Sequence, residues 1–576
     1  MKRSRSILFY GLLIIGLFSI YFSSLHHNFT HLDDHVQVVE NLSIRSIDIE
    51  SITHIFSSTT VGMYQPLTTL FNAIIYQNFG LNAFYYHFLS LLFHLFNSIL
   101  VFKLLSYFFK SKNLSFFLSF LFAFHPMQVE SVAWVSALSS LTFTFFFLAS
   151  IFSYFNYRKS YKKKFYYIAL VLFILACLSK SSAVILPIIL ILFELFQGDK
   201  VRSIWKNKIS FLFVSIFFGI ITLLSRESAG HLSDLSENFD WIDRIFLVSH
   251  SILFYPFTFL FPFKLSAFYP YPEIENSSLP ILYYLSPIVL VGLSILIYKF
   301  KSNRKIWFGT IFYFIGIALV LQIIPVGNQI TTDRYIYLPM FGLLIILASV
   351  LSKLQDKKAF NVLFLIPLFL GFLSFERSKI WKNDEQLWKS VLEEYPNVSQ
   401  AYNNLGSSAL ENKKPQEAFN YFDKAIQLQP SYADAYSNRG NLYSQSGKSS
   451  EAIKDYSKAI ALKEHADAYF NRGNEFSKVG DLNSAVVDYT KSLSLTPKSD
   501  TYTNRAFAYL KLNKTALAKN DLNQALTIDA KFDRAIFLMG LIERNSGNQQ
   551  LACQFFQKAM SLGNVNAKSA YLKSCR

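Results

Sequence analysis

Cysteine is nearly absent: Cys177, Cys553 and Cys575 are the only three in 576 residues. Three thiols cannot staple a small scaffold. Cys177 lies in an apolar run, and a Cys553–Cys575 bridge is open to the tail in an oxidising compartment. Acidic residues are outnumbered 38 to 55, for a net charge of +17. Such a balance raises nucleic acid as a partner. The basic residues sit in short clusters between apolar runs, not on one face, and this excludes nucleic acid. The chain has no nucleotide-binding glycine loop, zinc-protease helix or Gly-x-Ser-x-Gly elbow. Nor does a small-x-small cleavage site follow the apolar stretch Ile7 to Phe22, which ends in Ser-Ser-Leu-His-His. An uncleaved anchor with Lys2, Arg3 and Arg5 inside is the expectation.

What is present is hydrophobic and unevenly spread. Apolar residues make up 52% of the chain, 60 of them Phe, against about 45–50% in an ordinary soluble domain. Residues 1–376 hold nearly all the long apolar runs. The expected class is all-α: a polytopic membrane bundle over 1–376, a linker and half-repeat cap over 377–398, a repeat solenoid over 399–566, and a tail over 567–576.

Spanning helices need about 20 mainly apolar residues. Candidates are 7–25, 84–108, 113–125, 131–156, 165–179, 182–197, 209–225, 281–298, 306–325, 335–352 and 359–376. Lys110/Lys112, Arg158 to Lys164, Lys200/Arg202/Lys206/Lys208, Lys299 to Lys305 and Lys353/Lys357/Lys358 are expected to be cytoplasmic. The alternate loops are acidic: 26–65 carries Asp33, Asp34, Glu40, Asp48 and Glu50, and 226–243 carries Glu227, Asp234, Glu237, Asp240 and Asp243. The signs agree if 244–263, with His250, Pro256 and Pro262, is re-entrant or surface-lying. About eleven spans then result, and the repeats share a side with Asp33 and Asp34. A twelfth span with a cytoplasmic tail is the alternative.

The tail repeats with a period of 33–34 residues. Ala401-Tyr-Asn-Asn-Leu-Gly406 returns as Ala435-Tyr-Ser-Asn-Arg-Gly440, Ala468-Tyr-Phe-Asn-Arg-Gly473, Thr501-Tyr-Thr-Asn-Arg-Ala506 and, loosely, Ala535 to Gly540. Ala418, Ala452, Ala485, Ala518 and Ala552 mark the second helix of each unit. This is the tetratricopeptide (TPR) pattern in about five units, an architecture that offers a concave peptide-binding groove. Asn404, Asn438, Asn471 and Asn504 could clamp a peptide backbone there, or could bond between repeats.

Polar groups at bilayer depth are costly and usually functional. Asp33-Asp34 and Asn41 occupy the first outer loop (26–83, with an interfacial helix opened by Tyr64-Gln-Pro-Leu-Thr-Thr69); a carboxylate there can act as general base or hold a divalent cation. The plainer reading is a capping or solvating pair. His87, His94 and Asn97 share one helix face, which must turn into the bundle as a ligand set or a helix–helix contact. His125 and Glu130 sit in a short outer turn, with Pro-stopped capping as the alternative. Lys180 and Arg334, the latter in Thr332-Asp-Arg-Tyr335, are rare outer cations suited to a lipid phosphate.

Taken in order, Leu-Asp33-Asp34 to Glu-Asn41, Tyr-Gln-Pro-Leu-Thr-Thr69, Tyr-His87 to Asn97, Phe-His-Pro-Met-Gln-Val-Glu-Ser-Val-Ala-Trp134, Leu-Ser-Lys180, Leu-Ser-Ala-Phe-Tyr-Pro-Tyr-Pro272 and Thr-Asp-Arg-Tyr-Ile-Tyr-Leu-Pro339 resemble the transmembrane-and-TPR protein O-mannosyltransferases (the TMTC family) and their bacterial relatives. The likeness runs the length of the chain, and its strength is in the order of the motifs together with the repeats. It departs at Gln65, where eukaryotic relatives often have Arg, at Ala137 to Ser140, and at Ser181-Ser182.

The resemblance implies a GT-C glycosyltransferase fold. It implies transfer of a sugar, mannose on the family's pattern, from a polyprenyl-phosphate donor to Ser or Thr hydroxyls of proteins, with inversion. By that likeness Asp33 is the base and Asp34 its neighbour; Arg334, Lys180 and Tyr335 hold the donor phosphate; His125, Glu130, Asn41, His87, His94 and Asn97 position sugar or acceptor; the TPR groove recruits acceptor protein. Lipid-linked sugar and membrane lipid are the implied partners, and the metal question stays open. A glycan- or lipid-directed transferase and a non-enzymatic membrane-anchored scaffold are the competing readings. The expected home is a bacterial inner membrane with a periplasmic tail, or an endoplasmic reticulum with a lumenal one.

Overall fold

Several helix starts along the first 400 residues are set by side-chain caps of the ordinary kind. Asp48, Asn82 and Ser111 accept from the backbone N–H groups of Ser51, Phe84 and Leu114, opening the helices Ile49–Ser57, Ala83–Phe108 and Lys112–Ala123. Each such cap contributes about 1 kcal/mol. Pro66 opens Pro66–Phe79, where its missing N–H costs nothing, and Gly80 ends that helix at φ +61°, a conformation glycine adopts freely. The computed structural model describes residues 2–575 except 61, 199–206, 229–238, 275–277, 324–326 and 354–361. Lys200, Arg202, Lys206, Asp234, Glu237, Lys357 and Lys358 lie outside the described residues, as do the side chains of Lys2, Arg3, Arg5, Arg226 and Glu227.

The chain divides into two units, Met1–Pro396 and Asn397–Arg576. The first is an all-helical bundle with one small antiparallel pair, β1 (Tyr269–Pro270) on β2 (Gln329–Thr331). Leu138–Ser160 packs on Lys163–Ser179 and on Ala83–Phe108, and Arg304–Ala318 crosses Met340–Leu351. That crossing is close because two glycines meet: a Cβ on Gly309 would lie 2.6 Å from the Gly342 carbonyl oxygen. Residues 377–396, expected to be linker and cap, belong to this first unit. Trp381 stacks on Trp134 at 5.8 Å, and Asp384 accepts from the His31 backbone at 2.8 Å. A buried tryptophan pair and a buried carboxylate are core features that a linker would not carry.

Three described helices are long and apolar enough to cross a membrane alone: Ala83–Phe108, Val135–Ser160 and Ile281–Lys299. Lys112–Ala123 and Pro126–Ala133, bent by 51°, make a fourth if taken as one span. On Ile281–Lys299 the apolar side chains are largely exposed, Ile281 at 72% and Ile288 at 68%. Such a surface is suited to a non-aqueous neighbour, and the unit is membrane-associated. Of the other expected segments, 7–25 and 209–225 fall on the 20-residue helices Lys2–Tyr21 and Ile209–Ser228, and most of the rest on shorter helices, such as Met340–Leu351 for 335–352. There Asp333 and Arg334 hold the chain in a tight turn before the helix can begin. The segment 244–263 forms Trp241–Leu260, capped by Asp240 and Asp243, and is not among the three. The stretch after Gln65, expected at the interface, instead buries Thr68, Thr69 and Asn72, and Thr68 donates to the Ser179 carbonyl.

The second unit is a run of antiparallel helix pairs from Ser399–Glu411 to Gln549–Ser561, closed by Val565–Ser574 where a tail was expected. Within a pair, the first-helix glycine faces an aromatic ring sixteen residues on: Gly440 meets Tyr456 and Gly473 meets Tyr489, with a Cβ at either 2.8 Å from the ring. In the fourth pair Ala506 replaces the glycine and Leu522 the ring, and both are fully buried. Arg439, Arg472 and Arg505 make bidentate pairs with Asp455, Asp488 and Asp521. Cys553 and Cys575 form a disulfide that ties the closing helix to the last pair, while Cys177 is free and buried.

Candidate active site

Adjacent acids in the first loop meet opposite fates. Asp34 is fully buried and its carboxylate is saturated: Thr30 N and Oγ1 donate to one oxygen at 2.9 and 3.0 Å, and Ser136 N and Oγ donate to the other at 2.8 and 2.5 Å. Burial pushes its carboxyl above the usual range against the pull of those four donors. Asp34 therefore pins the loop to the turn before Leu138–Ser160. Asp33, next to it, has no such partners and lines a cavity of about 420 Å³. Burial raises its carboxyl to about 6, with Arg334 pulling it down and Asp34 pushing it up.

The same cavity is lined by Lys180, Arg334 and Tyr335, so the acid of residue 33 and the guanidinium of residue 334 share one chamber. Arg334 is rigidly held. Glu130, fully buried, accepts from Nη1 at 2.5 Å and from the Arg334 backbone N–H at 3.1 Å. The guanidinium also lies 4.9 Å from the Trp134 ring centre and 5.1 Å from that of Tyr335. The Glu130 charge keeps Arg334 ionised despite burial. Asp333 points the other way: Arg377 pairs with one of its oxygens and Tyr269 Oη donates to the other at 2.9 Å, fastening β1 and the Leu365–Ser378 helix together. Lys180 Nζ donates to Ser140 Oγ at 2.8 Å, near the start of Leu138–Ser160. Burial, with Arg334 adding to it, lowers Lys180 to about 7.

The other expected site residues are not in this cavity. Glu130 reaches it only through Arg334. His125 is a buried cap: its Nδ1 accepts from Met127 N, and Nε2 meets the Phe259 carbonyl at 3.0 Å. Asn41 caps the turn Leu42–Ile44 and donates to the Gln37 carbonyl. His94 and Asn97 converge on the Tyr337 hydroxyl and bond the Ala123 and Leu141 carbonyls. His87 is buried, its ring 6.1 Å from that of His27. Their shared helix face turns inward as expected, but toward helix packing. Cavity residues the sequence reading did not assign are Gln37, Ser136, Ser139 and Ser140, along with Trp134 and Gln65, seen only as motif members. Neutral amides and hydroxyls carry no charge signal to find them by.

The cavity's donor set does not suit a divalent cation. Calcium or magnesium takes six or more oxygen ligands, carboxylates foremost. Here the Asp34 and Glu130 oxygens are committed, and Asp33 faces two cationic side chains.

In the repeat unit, Asn438 donates to Asn403, Asn471 to Asn441, and Asn504 to Asn474, at 2.8–3.0 Å. Asn404 accepts from Asn403 at 3.3 Å. The expected asparagines thus form an inter-repeat ladder. Asn471 and Asn504, with Arg534 and Lys478, also line a cleft of about 570 Å³.

Residues 397–465, 466–499 and 499–532 match models of the tetratricopeptide repeat, an architecture that binds protein. Over a longer stretch the chain is similar to the protein O-mannosyl-transferase F38B6.6 of Caenorhabditis elegans, 25% identical over 74% of this chain and 64% of that one. It is also similar to the protein O-mannosyl-transferase TMTC3 of Homo sapiens, 27% identical over 64% of this chain and 44% of that one. The chain therefore spans less than two thirds of the length of these relatives. The chain is a helical membrane-associated unit followed by TPR repeats, and its similarity is to proteins of these names.

Proposed function

We propose that this chain is an inverting membrane glycosyltransferase. It moves a sugar, mannose by the relatives' names, from a polyprenyl-phosphate carrier to Ser or Thr hydroxyls of proteins on the extracytoplasmic side, and the TPR array recruits the acceptor. One observation carries the reading: a single cavity is lined by an uncommitted carboxylate, Asp33, and by two cations, Lys180 and Arg334.

The chemistry is a single displacement. Asp33 takes the acceptor hydroxyl proton as that oxygen bonds to the sugar's anomeric carbon from the face opposite the phosphate. The anomeric C–O bond breaks, its electron pair goes to the phosphate oxygen, and the configuration inverts. The departing phosphate gains charge, which Arg334 and Lys180 neutralise. Fixed donors of this kind contribute about 3 kcal/mol each. Glu130 and the Trp134 ring hold the guanidinium in place beforehand, so little reorganisation is needed at the moment of transfer.

The test is purified full-length protein in nanodiscs, supplied with polyprenyl-phosphate mannose and an unstructured Ser/Thr peptide. Asp33→Asn is expected to reduce transfer at least a thousand-fold with an unchanged melting temperature. Undiminished transfer by that variant would remove Asp33 from the mechanism. A wild type inert with every lipid-linked sugar would overturn the reading.

A further inference from the structure

Gln37 and Gln65 come from separate segments, the short helical turn His35–Val39 and the residue before the Pro66 helix. Both are buried, at 4% and 5% exposure, and both line the Asp33 cavity. Gln65 Nε2 donates to Gln37 Oε1 at 3.2 Å. The pair is then only half used: the Gln37 amide NH2 and the Gln65 carbonyl oxygen have no protein partner. Exchanging oxygen and nitrogen on both residues reverses the internal bond, but the pair still offers one carbonyl and one amide. Neither atom is sealed in protein, so among the described residues the pair offers the cavity an unmet donor and an unmet acceptor side by side, where an entering ligand can meet both.

We infer that Gln37 and Gln65 form a sugar subsite, reading neighbouring hydroxyls of a neutral hexose on the lipid carrier. The inference rests on the transferase reading above. Vicinal hydroxyls each donate and accept, so they match a carbonyl beside an amide. The subsite is uncharged, and the cavity's two cations are assigned to the phosphate, leaving none for a uronate or a sulfated sugar. The chamber then has three parts. Lys180, Arg334 and Ser140 take the phosphate, Asp33 takes the acceptor proton, and the glutamine pair takes the sugar.

The experiment measures binding to full-length protein in nanodiscs by quenching of tryptophan fluorescence. The probes are short-chain polyprenyl phosphate, the same lipid carrying mannose, and the lipid carrying 2-deoxymannose or glucuronate. Wild type is expected to bind the mannosyl lipid roughly ten-fold more tightly than the analogue missing a read hydroxyl, and to reject glucuronate. Gln65→Leu and Gln37→Leu are expected to erase the preference among sugars and leave the affinity for bare polyprenyl phosphate within two-fold. Gln65→Arg is expected to confer glucuronate binding. If the pair only braces the loop, melting temperatures fall while the sugar preference survives, and that result overturns the subsite. If wild type fails to bind bare polyprenyl phosphate, the transferase reading itself falls and the subsite falls with it.

Discussion

At the scale of the residue, the cavity pairs a carboxyl lifted to about 6 with an amine lowered to about 7. Asp33 acts as base only when ionised, so transfer is lost as pH falls through about 6. Lys180 attracts phosphate only when protonated, so donor capture is lost as pH rises through about 7. The expected pH profile of kcat/KM for donor is therefore a narrow bell, which reports groups of the free enzyme. Lys180→Arg is expected to abolish the alkaline limb while the acid limb stays, checked by initial rates between pH 5 and pH 9 in one mixed buffer. Glu130→Gln keeps a hydrogen bond to Arg334 but removes the charge that fixes it. A donor KM raised about ten-fold, with a smaller effect on kcat, is the expected outcome. Asp33, Lys180 and Arg334 stood out in the sequence because charge beside long apolar runs is conspicuous, whereas Tyr335 entered only through the family resemblance. For His94 and Asn97 the spacing gave an inward face open to a ligand set or a helix–helix contact, and the bonds to Ala123, Leu141 and Tyr337 fall on the second; a shared face does not say whether cavity or neighbouring helix receives it. Of the glutamine pair, Gln65 showed only as a motif member and Gln37 was not singled out, since neutral amides occur anywhere.

At the scale of the element, the close crossing of Arg304–Ala318 and Met340–Leu351 sets where Arg334 arrives, six residues ahead of the second helix. A methyl group on Gly342 would sit 2.5 Å from the Gly309 carbonyl oxygen. Backbone cannot yield as a flexible side chain can, so Gly342→Ala must part the helices. A loss of about 2 kcal/mol in stability is expected, with transfer falling more than Gly316→Ala causes at the neighbouring contact on the Pro339 ring. Thermal melts of both variants alongside rate measurements check this. The existence of most helices was plain from apolar runs, and their ends were not. The sequence cannot show that Asp333 and Arg334 stop a helix by finding partners in opposite directions, because Arg377 and Glu130 come from distant stretches.

At the scale of the whole molecule, the chain forms two units, and the proposed function gives them separable tasks. The repeats were legible to the residue, since each glycine or alanine answers a ring or leucine sixteen positions on. Their last element was not, because the closing helix has no repeat consensus and depends on a disulfide. Cys575→Ser is expected to release that helix, at about 3 kcal/mol for a bridged loop of this size; earlier proteolysis of 565–576 under non-reducing conditions is the readout. Deleting 397–576 is expected to leave transfer to free peptide at saturating concentration while transfer to folded acceptor protein drops by 10²-fold or more, as lost avidity requires. Equal losses on both acceptors would show the array to be structural.

Twice in this molecule, neighbours in sequence divide the labour of tether and tool: Asp34 with Asp33, and Asp333 with Arg334. Such doublets make their loops intolerant of changed length. Inserting or removing a single residue beside either doublet would carry the tethered side chain toward the chamber and leave the useful one facing packed protein. Drift at these two places should therefore run through substitution, with insertions and deletions selected against.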